Sequence, residues 1–467
     1  MLFQRLSKLF ISVVLLSTAV DVAMIGVSQA TPFNDQEMGK EFFNMVQQQL
    51  PLVSDPIIND YIQTLGYRLV AYSDAPTHPF HFFVIQQDVI NAFAGPGGYV
   101  GVFGGLIVTT QTESELASVM AHEIAHVTQD HLQRGEDKTK NLTLPALAAM
   151  VAAIATGNGA VAASSISSIA AGGIQYQINT TRTFEEEADS MGIQTLARAG
   201  FDPYAMANFF KKLQEESRYD SAPIPMLMDH PVTEERIALA EERAKSLATN
   251  KNYHSSNAYY LVKARMQYFL SKDAKNFLSQ ATASEKSHPN DIYQKYLLAL
   301  AQFKNRQYKS SELLLQELMQ SDPYEVIYPY SLAQADFLQQ KYPEAKKYIQ
   351  QSYAMDNNYY PTVIFYGLIL LRDHQAAEAV KLLEQYQVTF ADSPDFWILL
   401  SKSYADNHNL IYAYLSRAKA YLALDDMKNA LIQVTIAEQQ PEQTAYTRSL
   451  IHAEKERLQK IVKKKNS

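Results

Sequence analysis

Apolar positions along this chain fall into helical spacing almost everywhere, with one short exception near residue 100. From Glu113 to Leu132, Ala117, Val119, Met120, Ile124 and Val127 keep helical periodicity, and Thr112 stands where an N-cap belongs. Tyr99–Phe103 reads instead as a brief apolar strand between Gly97-Gly98 and Gly104-Gly105. The cluster Glu185-Glu186-Glu187-Ala188-Asp189 opens another helix, which runs from Ala188 to Ala199 and stops at Gly200. Beyond about residue 250 the pattern is wholly helical and poor in glycine.

That second half has a period. Small residues recur every 34 positions at Ser311, Ala345, Ala379 and Ala413, and again 12 residues earlier at Ala299, Ala333, Gly367 and Ser401. The pair Ala418 and Ala430 repeats the 12-residue offset at a broken phase, and turn signals fall at Asp322-Pro323, Asp356-Asn357 and Asp392-Ser393-Pro394. Small side chains are needed wherever paired helix axes approach closely. Two locked registers of this length predict tetratricopeptide-type helix hairpins, which stack into a superhelix that binds other chains. The aromatics there, among them Tyr348, Tyr359, Tyr360, Phe365, Tyr366, Phe396 and Trp397, divide between core and groove in a way the pattern leaves open.

The first thirty residues carry another signal. Arg5 and Lys8 precede an apolar run, Leu9–Leu16, and Ser28-Gln29-Ala30 offers small residues at a cleavage site. This is the make-up of a secretory leader ending before Thr31, with Asp21 interrupting any membrane-spanning reading. Three regions are therefore expected: a signal peptide at 1–30, a mixed domain at 31–248 and a repeat domain at 253–460, joined by the polar stretch Lys245–Asn252. The fold class expected is α+β, predominantly helical, with a small sheet in the first domain. The Ala-rich stretch Leu144–Ile174 is too interrupted, at Gly157-Asn158-Gly159, to span a membrane; it reads as a flap over a cleft, with peripheral membrane contact as the alternative.

Composition then narrows the chemistry. A net charge of −8 over 467 residues excludes a nucleic-acid binder, and the basic tail Lys460–Lys465 reads as a solvated helix end. With no cysteine, thiolate metal sites, cysteine nucleophiles and disulfides are all excluded.

Within the helix starting at Glu113 lies His122-Glu123-Ile124-Ala125-His126. Histidines at i and i+4 converge from one helix face on a single cation, and Glu123 can reach a metal-bound water as general base. One Zn2+ per chain is expected. A third ligand is needed. His131 is one option, but no glycine breaks the helix before it, so it reads as an outer or surface residue. The other is a carboxylate from the Glu185–Asp189 cluster, with Asp189 available to hold the distal nitrogen of a ligating histidine. The strand Tyr99–Phe103 either pairs with an extended substrate or is interior. His230 and Arg236 invite an oxyanion-stabilising reading, or for His230 a fourth metal ligand that keeps the site latent.

These motifs resemble the M48 family of zinc metallopeptidases. The resemblance rests on His122–His126, on Glu187-Ala188-Asp189-Ser190-Met191-Gly192, on Asn91-Ala92-Phe93-Ala94 with Gly97-Gly98 after it, and on His230-Pro231 with Arg236. It implies a gluzincin-type protease domain and Glu187 as the third zinc ligand. A leader in front and repeats behind make the chain similar to exported, periplasmic members that assist outer-membrane β-barrel assembly. Those members imply stalled or unfolded protein substrates, a chaperone-like role and docking on the assembly machinery through the repeats. A scaffold with a silent zinc site is the alternative, against which the intact Glu123 argues. Well-known members carry cysteines in the repeats; this chain does not.

Overall fold

A computed structural model describes residues 35–136, 174–218, 224–249, 251–441 and 443–465, with isolated positions between 148 and 154. The leader and nearly all of the Ala-rich stretch lie outside the described residues. The chain forms two compact units that divide between Lys304 and Asn305.

The first unit begins with α1 (Asp35–Gln49), which buries Phe42 and Val46, and α2 (Pro56–Ala71). Asp55 caps α2 by accepting hydrogen bonds from the amides of Ile57 and Ile58, each 3.1 Å away, and Pro56 follows at a position where its missing N–H costs nothing. Three strands follow: β1 (His81–Ile85), β2 (Ala92–Ala94) and β3 (Tyr99–Phe103). Their order is β1-β3-β2, with β3 parallel to β1 and antiparallel to β2. Of the two readings of Tyr99–Phe103, the interior one holds: both its edges are already paired and every residue in it is buried. The outer edge of the sheet beside the site belongs to β2. Between β2 and β3, Gly97 and Gly98 take φ of 67° and 77°, and a Cβ on Gly98 would sit 2.1 Å from the carbonyl oxygen of Pro79.

After α3 (Gly104–Thr109) comes α4 (Glu113–Thr128), capped by Thr112, whose hydroxyl accepts from the Glu115 amide at 3.2 Å. Helix α4 ends at Thr128 and does not continue to Leu132. Asp130 adopts a left-handed φ of 53°, and a new short helix, α5 (His131–Glu136), starts at once. Asp is among the few residues that accept this conformation, so no glycine was needed to break the run. Helix α6 (Ile174–Arg198) packs along α4, and Gly192 lets the two approach closely: a Cβ there would lie 3.2 Å from the His122 amide nitrogen. Helices α7 (Ala205–Glu216), α8 (Pro225–Asp229) and α9 (Glu234–Leu247) complete this layer. Ile193, Met206, Phe210, Ile237 and Ala240 share one core cluster there.

The polar stretch near residue 250 does not end the unit. Helix α10 (Asn257–Leu270) is keyed into the catalytic layer, followed by α11 (Ala274–Ser287) and α12 (Ile292–Lys304). Arg265, 3% exposed, pairs with the fully buried Asp55, and the Tyr259 hydroxyl donates to the Thr110 carbonyl at 2.7 Å. Glu113 accepts from the Ser256 amide at 2.9 Å and from its hydroxyl at 2.8 Å. These buried polar contacts explain why the compact unit runs some fifty residues past the boundary composition suggests.

Among its described residues the second unit is all helical: α13 (Tyr308–Ser321), α14 (Ile327–Leu338), α15 (Tyr342–Met355), α16 (Tyr360–Arg372), α17 (Ala376–Leu383), α18 (Pro394–Asp406), α19 (Leu410–Ala423), α20 (Met427–Glu438) and α21 (Ala445–Lys465). The starts of α13, α15, α17 and α19 are each 34 residues apart. The small registers lie at the crossings: Ser311, Ala345 and Ala379 are fully buried, and the Ser401 hydroxyl donates to the Ala413 carbonyl at 2.8 Å. A Cβ on Gly367 would meet Leu399 and Leu383 methyls at 3.1 and 3.2 Å. Phe365, Phe396 and Trp397 are core residues, while Tyr348, Tyr359, Tyr360 and Tyr366 are half-buried. The hairpin turns repeat too. Arg306, Gln340, His374 and His408 all take left-handed φ between 58° and 63°, again at 34-residue steps.

Candidate metal and catalytic site

Helix α4 supplies His122 and His126 one turn apart, so both rings leave the same face and their Nε2 atoms stand 3.0 Å apart. The facing helix α6 supplies a carboxylate, and it is Glu185. One Glu185 oxygen lies 3.3 Å from His122 Nε2 and the other 3.4 Å from His126 Nε2. Glu187, the expected third ligand, points elsewhere: its Oε2 meets His131 Nε2 at 3.0 Å and Arg134 at 2.8 Å. The physical reason is helix geometry. Glu187 is two residues from Glu185 and faces roughly the opposite way, whereas Asp189 is one turn on and shares Glu185's face.

His230, in the turn after α8, completes the group. Its Nδ1 lies 3.3 Å from His122 Nε2 and 2.9 Å from Glu185 Oε1. His122, His126, Glu185 and His230 each present a ligand atom, all within 4.8 Å of one another. Four donors on a tetrahedral zinc with bonds of about 2.0–2.1 Å would stand roughly 3.3 Å apart. Five of the six donor separations, with Glu185 reaching through both its oxygens, are 2.9 to 3.4 Å and so close to those edges, and the whole group lies within 4.8 Å. Three imidazoles and one carboxylate are also the donor types zinc takes. The residues present therefore fit a zinc ion.

Glu123, between the two helix histidines, is 1% exposed, and its Oε1 has no hydrogen-bond partner among the described residues. It lies 3.5 Å from His230 Nε2. A carboxylate oxygen left this way in a buried site needs something to bind, and a water is the natural candidate. Glu123, His126, Glu185 and His230 all line a cleft of about 340 Å³ that Phe93 and Gly95 border on the β2 side.

Behind the ligands lies Arg236, 3% exposed. Its guanidinium donates twice to Asp189, at 2.8 Å each, once to the Pro231 carbonyl at 2.7 Å, and stands 3.0 Å from Glu185 Oε2. It does not border the cleft, so the oxyanion reading for Arg236 is corrected: its N–H groups are committed to holding Asp189 and Glu185. Asp189 Oδ1 in turn lies 3.0 Å from His122 Nδ1, at ion-pair distance but outside hydrogen-bonding geometry. On the other side, Asn91 donates to Asp229 at 2.8 Å and so anchors the turn that carries His230.

The electrostatics follow. Burial works against charge on His122, but Asp189 and Glu185 outweigh it and hold its pKa at about 10. Burial also opposes ionisation of Glu185, yet His230, His122 and His126 hold its carboxyl well below the usual range. His126 is pulled down chiefly by burial. His131 is pushed down to about 4 by burial and by the neighbouring His126. A divalent cation would take the place of the proton that His122 carries in its absence.

A family model for Peptidase family M48 matches residues 56–244. A Vibrio cholerae relative is 38% identical over 393 residues, covering 81% of this chain and 79% of its own length. The chain belongs to the M48 peptidases. Two relatives bear the name beta-barrel assembly-enhancing protease: one from Escherichia coli K12, 32% identical over 87% of this chain and 84% of its own length, and one from Yersinia pestis, 34% identical over 82% and 80%. This M48 chain is thus a metallopeptidase, and its family-matched segment contains His122, His126, Glu185 and His230 together. No helix among the described residues is long and apolar enough to cross a membrane.

Of the residues singled out from sequence, His122, Glu123, His126, His230 and Asp189 meet in one site, Arg236 backs it, and Glu187 lies outside it. Glu185 and Asn91 were the residues whose parts went unassigned. For Glu185 the signal was its four-residue spacing from Asp189.

Proposed function

We propose that this chain is an exported, periplasmic zinc endopeptidase that cleaves stalled or misassembled outer-membrane proteins and aids their assembly, its repeats docking clients or the assembly machinery. The observation that carries the zinc reading is the convergence of His122 Nε2, His126 Nε2, Glu185 and His230 Nδ1 within 4.8 Å of one another. The relatives' name supports the outer-membrane role, and the leader-like first thirty residues support export.

When bound, zinc supplies Lewis-acid polarisation of the scissile carbonyl and lowers the pKa of a coordinated water. The rest falls to the protein. Glu123 accepts the water's proton and passes it to the leaving amine. The free edge of β2 offers main-chain groups to an extended peptide, which reads backbone more than side chain. With His230 as a fourth protein ligand the site would be closed, so the arrangement described is a resting one. Its turn, tied to β2's start through Asn91 and Asp229, swings away when a substrate enters.

Metal content and casein cleavage, measured together on the full chain, test this. Glu185→Ala is expected to lose zinc. Glu123→Gln is expected to keep zinc and lose cleavage; a Glu123→Gln protein that still cuts refutes the mechanism. His230→Ala is expected to cut faster than wild type, and a fall would make His230 a catalytic group rather than a latch.

A further inference from the structure

The arrangement outside His126 has a direction built into it. His126 can offer Nε2 to a metal only as a lone pair, so its one ring hydrogen must sit on Nδ1. That Nδ1 lies 3.0 Å from His131 Nδ1, which must therefore accept. The ring hydrogen of His131 is then on Nε2, and Nε2 must donate. Its neighbour at 3.0 Å is Glu187 Oε2, an acceptor. Every group in the line has the one polarity that leaves His126 Nε2 free for metal.

The surroundings hold this line in place. His131 is 5% exposed and stacks on Phe184, with centroids 4.5 Å apart and planes 13° apart. Arg134 lies over the same Phe184 ring and donates to the same Glu187 oxygen at 2.8 Å. The left-handed turn at Asp130 is what brings His131 back beside His126. Phe184 immediately precedes Glu185, so the same ring braces both His131 and the segment carrying the ligand carboxylate.

We propose that His131 and Glu187 form a positioning relay, carboxylate to imidazole to imidazole, that fixes the tautomer and ring angle of His126 and so tunes metal affinity. This rests on the metal site proposed above. It also gives Glu187 a part to play, outside the ligand sphere. The two ligand histidines are then held differently: His122 has Asp189 beside its Nδ1, and His126 has an imidazole interposed before its carboxylate.

The test measures zinc affinity by chelator competition and the visible absorption bands of the Co2+-substituted full chain. Loss of an outer partner of a metal-bound histidine weakens binding about 10- to 100-fold. Glu187→Ala and His131→Phe, which keeps the stack on Phe184, are each expected to lose that much and to shift the Co2+ bands. Glu187→Gln, whose amide oxygen still accepts, is expected to recover most of the affinity. The double variant is expected to be no weaker than His131→Phe, because the groups act in series. If Glu187 is only half of a surface ion pair with Arg134, Glu187→Ala leaves affinity within twofold and the bands unmoved, and the relay is overturned. Wild type and Glu185→Ala run alongside. Metal-free wild type, or a Glu185→Ala protein that binds as wild type does, would sink the site itself, a result separate from failure of the relay.

Discussion

Removing the Arg236 guanidinium should cost more without metal than with it. Arg236→Met keeps an apolar stem but deletes the guanidinium that lies over Phe210 and donates to Asp189, Glu185 and Pro231. The two carboxylates it leaves are 2% and 5% exposed, so water does not replace it. Breaking a buried pair of this kind costs about 3–5 kcal/mol. His122, protonated at neutral pH with its pKa near 10, stays 3.0 Å from Asp189 and offsets part of the loss. The expected loss for the metal-free protein is therefore near the lower end, about 3 kcal/mol. A divalent cation beside Glu185 brings two positive charges to the same place, so zinc should stabilise the variant more than it stabilises wild type. Hydrogen exchange of the α4 and α6 amides, with and without chelator, reads the local stability without assuming a single transition for two units. A metal-free loss below about 1 kcal/mol would refute the reasoning, since a buried bidentate pair cannot be that cheap to break. So would an Arg236→Lys protein as stable as wild type, because Lys cannot donate to Asp189 through two arms.

Other outcomes follow from single contacts. His122 in the metal-free protein has its pKa raised to about 10, so below that pH a metal must displace its proton; zinc affinity should fall roughly tenfold per pH unit between 8 and 6 from this group alone, as chelator competition at each pH would show. Glycine at the left-handed turn positions Gln340 or His374 should stabilise the second unit by about 0.5–1 kcal/mol in urea melts, since non-glycine residues are strained there. A fragment ending at Leu247 strips Arg265 from buried Asp55 and Ser256 from Glu113, and should be protease-sensitive, whereas one ending at Lys304 should resist; equal resistance in limited proteolysis would disprove the extended unit.

The repeat half was legible because its constraint is steric and local. Helix axes that cross closely admit only Ser, Ala or Gly, and those residues are visible as letters at Ser311, Ala345, Gly367 and Ala413. Its turns were not legible. Left-handed backbone usually announces itself as Gly or Asn, yet here Arg306, Gln340, His374 and His408 occupy it, held by bonds such as Gln375 N–H to the Leu370 carbonyl at 2.8 Å. The end of α4 was hidden for the same reason, with Asp130 in place of glycine. The extent of the first unit was hidden because it turns on pairs far apart in sequence, Asp55 with Arg265 and Glu113 with Ser256. A polar stretch near residue 250 says where chain is exposed, not where packing stops.

The third metal ligand, a carboxylate, was decidable from the letters, and the reason is angular. Assigning Glu187 to the metal and Asp189 to a ligating histidine puts residues two apart on a helix to work in one site. Each residue turns an α-helix by about 100°, so those two point roughly 200° apart. Glu185 and Asp189, four apart, point the same way, just as His122 and His126 do on the facing helix. Two i,i+4 pairs meeting across the gap at Gly192 satisfy both helices at once: Glu185 meets both Nε2 atoms, and Asp189 meets His122 Nδ1. The same rule sends Glu187 round the helix to His131 and Arg134. Proximity of acidic letters in sequence therefore identified the right turn of helix, and the resemblance to the family picked the wrong face of it.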